Sequence, residues 1–259
     1  MNKITFPKKN KKSQFLISSD EYIQSGTSEN TRRAYQSDIN HFLSKGFTLP
    51  AKPESIVNYQ KLCATIHKPV TIERRLNALS QWHKLQEHAD PTKDSSVAKT
   101  MTGIHRVHGI PAKKAIAMTM GDVESCVQYL KSQDTLISLR NRAMLLIGYF
   151  GALRRSELVL LQWSQIEFAR EGVVITFPKS KGNQLGKREQ CAVPYGNHTF
   201  CPVNALLAWR KASSTFDGFV FRRISSASNV NTKPITGVYF NLIIKQLAKD
   251  AKLPNSDSY

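Results

Sequence analysis

An apolar segment that ends on two adjacent arginines, "LISLRNRAMLLIGYFGALRRSELVLLQW" (residues 136–163), constrains the fold of this chain more than any other stretch. Up to Phe150 it is apolar on nearly every side of a helix, which predicts a buried helix. Arg154 and Arg155 follow where this helix ends. A buried arginine costs free energy unless its charge has a partner. The pair therefore indicates either a helix that begins at the surface or an anion-binding site on a rigid support.

The spacing of Arg154 and Glu157 predicts a shared position on a short helix that runs from about Arg154 to Leu161. Residues three apart face the same side of a helix, whereas Arg155 points elsewhere. Gly151 permits a close backbone approach just before this helix. Glu157 could then orient the planar guanidinium of Arg154 toward a phosphate. The alternative is an ordinary i,i+3 ion pair, which the spacing alone favours because such pairs are common and weak.

The charge balance points to a polyanionic partner. The chain has 37 Lys and Arg against 19 Asp and Glu, a formal net charge of +18. Both halves carry the excess, with 19 basic and 9 acidic residues up to residue 118 and 18 and 10 after it. A basic excess spread over the whole chain favours a nucleic-acid ligand over a soluble protein that merely has a high isoelectric point. Charge does not distinguish DNA from RNA.

The N-terminal arm and the cysteine spacing limit where the protein can be located and whether it binds a metal. No segment approaches the ~18 consecutive apolar residues of a membrane span. The basic arm, residues 1–13, lacks the apolar stretch of a secretory signal, so we expect a cytoplasmic protein. The four cysteines form no CxxC pair, and no histidine stands at metal-ligand spacing from them. The sequence therefore predicts no metal site.

The region 14–108 is predicted to be a compact module of four short helices. Apolar residues recur at helical spacing in each segment, and Thr71 is the predicted cap of the third helix. Basic side chains on these helices either enter a DNA groove or form an ordinary solvated helix face. The candidates are Arg32, Arg33, Arg74, Arg75 and Lys84, the last three placed off the Leu76/Leu79 stripe.

A change of hydrophobic period marks a second region, 119–259, after a linker at 109–118. Residues 173–177 and 190–193 are β-rich and enclose "PKSKGNQLGKR" (178–188), which predicts a β-hairpin with a basic tip. Basic turns are usually solvated, so Lys179, Lys187 and Arg188 are either solvated residues or phosphate contacts. An amphipathic helix is predicted over "ITGVYFNLIIKQLAKDAK".

Taken in order, these elements resemble the tyrosine recombinases, also called the phage integrase family. The residues that match the family's first arginine box are Gly151, Leu153, Arg154, Ser156, Glu157 and Leu158. Lys181 stands in the Ser-Lys position of the family's lysine hairpin. The segments "TSENTRRAYQSDINHFLSK", "TIERRLNALSQWHKL" and "CPVNALLAWRKA" also look like members of this family. The resemblance covers about residues 14–253.

This resemblance implies a mainly α fold with a small β-sheet. It implies a helical, SAM-like core-binding domain and a mixed α/β catalytic domain that grip opposite faces of duplex DNA. In the family a tyrosine attacks the scissile phosphate, giving a 3′-phosphotyrosyl link, without metal or nucleotide cofactor. By the resemblance, Arg154 is a transition-state arginine, Lys181 the general acid and Glu157 the residue that orients the active-site helix, whereas Arg155 is a DNA-backbone or surface residue. The family works as a tetramer on two duplexes.

The chain departs from the family pattern after the last predicted helix. The family has a His-x-x-Arg box and then a nucleophilic tyrosine, but no arginine follows Arg223. We therefore expect a C-terminally truncated catalytic domain without its nucleophile, and exposed apolar surface on "VYFNLIIKQL". The alternatives are an inactive DNA-binding relative and, less favoured, a helical nucleic-acid-binding protein outside the family.

Overall fold

The computed structural model describes residues 27–111, 115–177, 189–197, 199–254 and 256. The chain divides into two compact units, Met1–Ala112 and Lys113–Tyr259. Among the described residues, no helix is both long enough and apolar enough to cross a membrane.

In its described residues, the first unit has four α-helices, as the apolar spacing predicts. They are α1 (Glu29–Ser44), α2 (Pro53–Ala64), α3 (Pro69–Leu85) and α4 (Ser95–His108). Their buried apolar faces meet in one core, which contains Ile39, Phe42, Ile56, Tyr59, Cys63, Ile72, Leu79, Val97, Met101 and Ile104. The unit is therefore held by the amphipathic pattern of each helix rather than by helix propensity alone.

The starts of these helices follow local chemistry. Ser28 caps α1, because its hydroxyl accepts a hydrogen bond from the Thr31 amide at 3.2 Å. Asp94 caps α4 in the same way through the Ser96 amide at 2.8 Å. The prediction that Thr71 caps α3 is wrong, because α3 begins at Pro69. Proline suits the first helical turn, since its fixed φ is already helical and its missing N–H is not needed there.

The second unit surrounds the buried helix predicted from the opening sequence segment. It contains α5 (Met120–Gln133), α6 (Leu136–Phe150), α7 (Arg155–Val159), α8 (Pro202–Ser213) and α9 (Gly237–Asp250). Helix α6 is the central one, and its residues 143–147 are all buried. Capping boxes start both α5, through Thr119 and Asp122, and α6, through Thr135 and Ser138.

Two small antiparallel sheets complete the described part of the second unit. The first has the order β1 (Ile166–Ala169), β2 (Gly172–Phe177) and β3 (Glu189–Pro194). The predicted hairpin strands are β2 and β3, paired with Gly172 opposite Pro194 and Phe177 opposite Glu189. The second sheet pairs β4 (Arg222–Ile224) with β5 (Val230–Pro234). A mainly helical fold with small sheets is thus confirmed, although β1 and β5 were not predicted.

Helix α9 leaves apolar surface uncovered, as expected from the sequence. Ile243 and Leu247 are buried in the core of the second unit. Val238 and Leu242 lie on the other side and are 73% and 59% exposed. A groove of about 480 Å³ runs beside Leu242 between α5, α6 and α9.

Candidate active site around Arg154

The turn between α6 and α7 is what places Arg154. Helix α6 ends at Phe150 with Gly151 as its C-cap, and Ala152 has a φ of +47°, which reverses the chain. The Leu153 amide then donates to the Gly148 carbonyl at 3.1 Å. Gly148 itself faces Leu158 of α7, because a side-chain carbon there would lie 2.8 Å from a Leu158 methyl group. Helix α7 therefore packs directly onto the end of α6.

Arg154 is the N-cap of α7 and not its first helical residue. Its backbone is extended, and the helix runs from Arg155 to Val159. The predicted helix from Arg154 to Leu161 is therefore too long at both ends. Glu157 reaches back to the cap with both carboxylate oxygens: Oε2 accepts from the Arg154 amide at 2.8 Å, and Oε1 accepts from the Arg154 guanidinium at 2.8 Å.

This double contact makes the pair more than an ordinary i,i+3 ion pair. The Glu157 side chain is 12% exposed, whereas the Arg154 side chain is 53% exposed. The carboxylate is thus fixed by the backbone, and the guanidinium it holds faces outward. The hydrogen bond to Glu157, followed by the charge of Glu157, raises the pKa of Arg154 above its ordinary value. The residue carries its positive charge under all ordinary conditions.

Strand β3 approaches the same turn. The thiol of Cys191 donates to the Gly151 carbonyl at 3.3 Å. Glu189 lies two residues earlier and so shares the face of β3 that carries Cys191. Its charge also contributes to the raised pKa of Arg154. Sequence reasoning missed Cys191, because nothing in the spacing of the strand shows which face meets the arginine turn.

Arg155 points away from Arg154, as predicted. Its guanidinium lies against Gly237 at the start of α9, where a side-chain carbon would come within 3.1 Å of Arg155 Nε. The side chain is exposed. The α7 turn therefore presents two cations on separate sides, one held by Glu157 and one resting on α9.

The candidate DNA-binding residues of the first unit make local contacts. Arg33 pairs with Glu29 at 2.6 Å on an exposed face, and the Arg32 guanidinium donates to the Thr27 carbonyl. Lys84 Nζ lies 4.0 Å from Asp90 Oδ2. The Arg33–Glu29 pair is an exposed ion pair of the kind that contributes little to stability.

Arg74 and Arg75 differ in their exposure to solvent. The burial of Arg75 contradicts the prediction that it could contact DNA. Arg74 is half-exposed and reaches Asp38 Oδ2 at 2.6 Å. Arg75 was predicted to lie off the apolar stripe, but it is only 7% exposed. Its guanidinium lies 3.7 Å from Asp38 Oδ1 and 3.4 Å from Cys63 Sγ. Arg75 balances the charge of a buried aspartate, so it is withdrawn as a candidate DNA contact.

The hairpin tip, 178–188, lies outside the described residues. The assignments of Lys179, Lys181, Lys187 and Arg188 stay predictions. The described strands β2 and β3 lead into and out of this segment.

Comparison with known proteins decides the family. Residues 116–257, more than half of the chain, match the phage integrase family. The chain belongs to the phage integrase family. The integrase/recombinase xerD homolog of Selenomonas ruminantium is 33% identical over 233 residues, which cover 86% of this chain and 68% of that protein.

Solved structures show that this phage integrase family member shares its fold with DNA-bound recombinases. One is the XerH site-specific recombinase bound to a palindromic difH substrate in a post-cleavage complex. It has a TM-score of 0.57 at 15% identity, over 88% of this chain and 64% of that one. Another is lambda integrase (residues 75–356) bound to DNA, with a TM-score of 0.57 at 14% identity, over 90% and 75%. The chain thus spans less than two thirds of the XerH recombinase.

Proposed function

We propose that this chain binds duplex DNA and supplies the first arginine box of a site-specific DNA recombinase or integrase. The observation that supports the proposal most directly is the outward guanidinium of Arg154, fixed by Glu157, in a member of the phage integrase family. A phosphate-binding site requires a guanidinium group that is already oriented before the ligand binds.

The chemistry assigned to these residues is phosphoryl transfer to a tyrosine. The tyrosine oxygen bonds to the scissile phosphorus while the bond from phosphorus to the 5′-oxygen breaks. Arg154 stabilises the negative charge that gathers on the pentacoordinate phosphorus, and it does so without reorganisation because Glu157 already holds it. Lys181 protonates the departing 5′-oxygen as general acid. Glu157 is a positioning residue, since it acts through Arg154.

We further propose that these 259 residues by themselves bind DNA without cutting it. No His-x-x-Arg sequence occurs after Arg223, and none of the tyrosines is assigned as the nucleophile. Tyr239 lies on α9 with its ring 5.8 Å from the buried Arg140 guanidinium, which is a structural contact. The complete recombinase is proposed to assemble as a tetramer on two duplexes.

A two-stage experiment tests this function. Selection from a random duplex pool first identifies the bound site, with affinity measured against salt. A nicked form of the selected duplex, which traps a covalent intermediate, then reports cleavage. We expect salt-dependent, sequence-selective binding and no covalent adduct. Absence of selective duplex binding would contradict the proposed function, whereas a covalent adduct would contradict the absence of a nucleophile.

A further inference from the structure

The β4–β5 hairpin has a charge pattern that the proposed function leaves unused. Its sequence, "RRISSASNVNTKP" (222–234), contains three cations and no Asp or Glu. Cations on a short exposed element are often only solvated. The positions of these three side chains distinguish solvated cations from an anion-binding surface.

Arg222 has a structural role, because its side chain is largely buried and bonded within the second unit. Its side chain is 11% exposed, its Nε donates to the Phe219 carbonyl at 2.8 Å, and its guanidinium pairs with Asp217. Its own carbonyl accepts a hydrogen bond from Arg140 at 3.2 Å. Arg222 therefore anchors the base of the hairpin to the core and fixes the direction in which the hairpin leaves it.

Arg223 and Lys233 lie on the two strands of the hairpin, and both are exposed to solvent. Arg222 pairs with Pro234 and Ile224 with Val230, so Arg223 lies opposite the irregular stretch 231–233. Both side chains are exposed, and neither forms an ion pair with any residue that the structure describes. Two exposed cations without an anionic side-chain partner are available to neutralise phosphates.

The rest of the hairpin surface offers hydrogen-bond donors and no apolar anchor. Its exposed polar side chains are hydroxyls and amides, namely Ser225, Ser226, Ser228, Asn229, Asn231 and Thr232. Phosphate oxygens in DNA accept hydrogen bonds from these side-chain types as well as from arginine and lysine. The surface therefore fits a phosphate backbone better than a protein partner, because the core of a protein–protein interface is enriched in aromatic residues and depleted of lysine and serine.

The hairpin is also within reach of the arginine box. Four residue steps separate Lys233 from Gly237, so their Cα atoms are at most about 14 Å apart. Gly237 lies against Arg155. That distance corresponds to roughly four base-pair steps of duplex DNA. The hairpin and the α7 turn therefore lie within a span that one duplex could cover.

We propose that the β4–β5 hairpin is a further contact for the phosphate backbone of duplex DNA, in which Arg223 and Lys233 each neutralise one phosphate. The proposal rests on the proposed function, because it extends the same DNA-binding surface.

The test is duplex binding by the full chain, measured by fluorescence anisotropy over a range of salt concentrations. The double variant Arg223→Gln/Lys233→Gln should lower the slope of log affinity against log salt by about 1.8, since each neutralised phosphate contributes about 0.9. At about 0.1 M salt, its affinity should fall roughly 10- to 100-fold. Each single variant should remove about half of the slope change.

The matched control is Lys131→Gln/Arg170→Gln. It also removes one exposed lysine and one exposed arginine from the second unit, and Arg170 lies in the turn between β1 and β2. Its slope should equal that of the unmodified chain. Circular dichroism should show both double variants fully folded, because the four substituted side chains are exposed.

The outcomes separate the two proposals. If the unmodified chain shows no salt-dependent duplex binding, the proposed function fails and this contact fails with it. If the chain binds and the hairpin variant behaves like the control, only the hairpin proposal is overturned. A loss of affinity seen with duplex RNA but not with duplex DNA would also overturn it.

Discussion

The thiol of Cys191 donates a hydrogen bond to the carbonyl oxygen of Gly151, with an Sγ–O distance of 3.3 Å. This bond joins strand β3, the second strand of the predicted lysine hairpin, to the turn that places Arg154. The half-buried thiol also lies near the Glu157 charge. Burial first and Glu157 second raise its pKa, so the thiol keeps the proton that the bond needs.

Replacing Cys191 with Val should remove this bond at nearly constant volume. We expect the second unit to lose about 0.5–1.5 kcal/mol of unfolding free energy, the usual net contribution of one hydrogen bond. Guanidinium unfolding followed by circular dichroism measures this change. Cys191→Ser keeps a donor and is the control, so equal stability of the Val and Ser variants would rule out a role for the bond.

Glu157 and Arg154 should have unequal effects on stability. Glu157→Ala removes both the guanidinium partner and the cap on the Arg154 amide, and loss of such a cap costs about 1 kcal/mol. Arg154→Ala keeps the backbone amide that Glu157 caps, so its unfolding midpoint should stay close to that of the unmodified chain. Chemical unfolding of the two variants measures the difference.

Arg154→Ala should have a large effect on DNA cleavage although its effect on stability is small. In a recombinase that carries the second box and the tyrosine, Arg154→Ala should abolish cleavage with little loss of DNA affinity. Normal cleavage by that variant would show that Arg154 is not the transition-state arginine. Arg170→Ala, which removes an exposed arginine from the β1–β2 turn, is the matched control and should cleave normally.

Gly148→Ala should destabilise the packing of α7 on α6. The new methyl group would lie 2.8 Å from a methyl group of the buried Leu158, so the side chain or the helix must move. Overpacking of this kind costs about 1–3 kcal/mol. Gly121→Ala, whose nearest contact would be an ordinary 3.9 Å, is the control and should be neutral or stabilising. Equal unfolding midpoints for the two variants would contradict the close packing.

Much of this architecture could be predicted from the sequence, because apolar spacing and capping chemistry are local signals. The four described helices of the first unit and the buried α6 follow from them. The short strands β1 and β5 were missed, since four or five residues give too little alternation to stand out. Local signals also misplaced Arg75, because its partner Asp38 comes from another helix.

The candidate site was predictable only in part. Arg154 and Glu157 were found through the resemblance of their segment to a family. The way in which Glu157 contacts Arg154 was not predicted. The spacing suggests two neighbours within a helix, whereas Arg154 is an N-cap with an extended backbone. Cys191 lies forty residues from Gly151 in the chain. Contacts of that range depend on how β3 packs against the α6–α7 turn, which no local pattern contains.

The first unit should lose stability on mild acidification because of His41 and His67. Their rings lie 5.4 Å apart, and His41 Nδ1 shares a hydrogen bond of 2.9 Å with the Tyr59 hydroxyl. Burial first and the charge of Arg75 second lower the pKa of both histidines below 6.5, and Lys45 adds to this. The folded state therefore takes up protons less readily than the unfolded state, so the unfolding free energy falls as the pH drops through 6.5.

Thermal unfolding between pH 7.5 and 5, followed by circular dichroism, measures this dependence. Asp38 titrates with the opposite sign, because burial raises its pKa above 3.8 and protonation favours the folded state. Comparison with His67→Gln at each pH removes that contribution, since Asp38 is present in both chains. We expect the variant to lose less stability than the unmodified chain as the pH falls. Parallel curves for the two chains would show that His67 does not titrate in the folded unit.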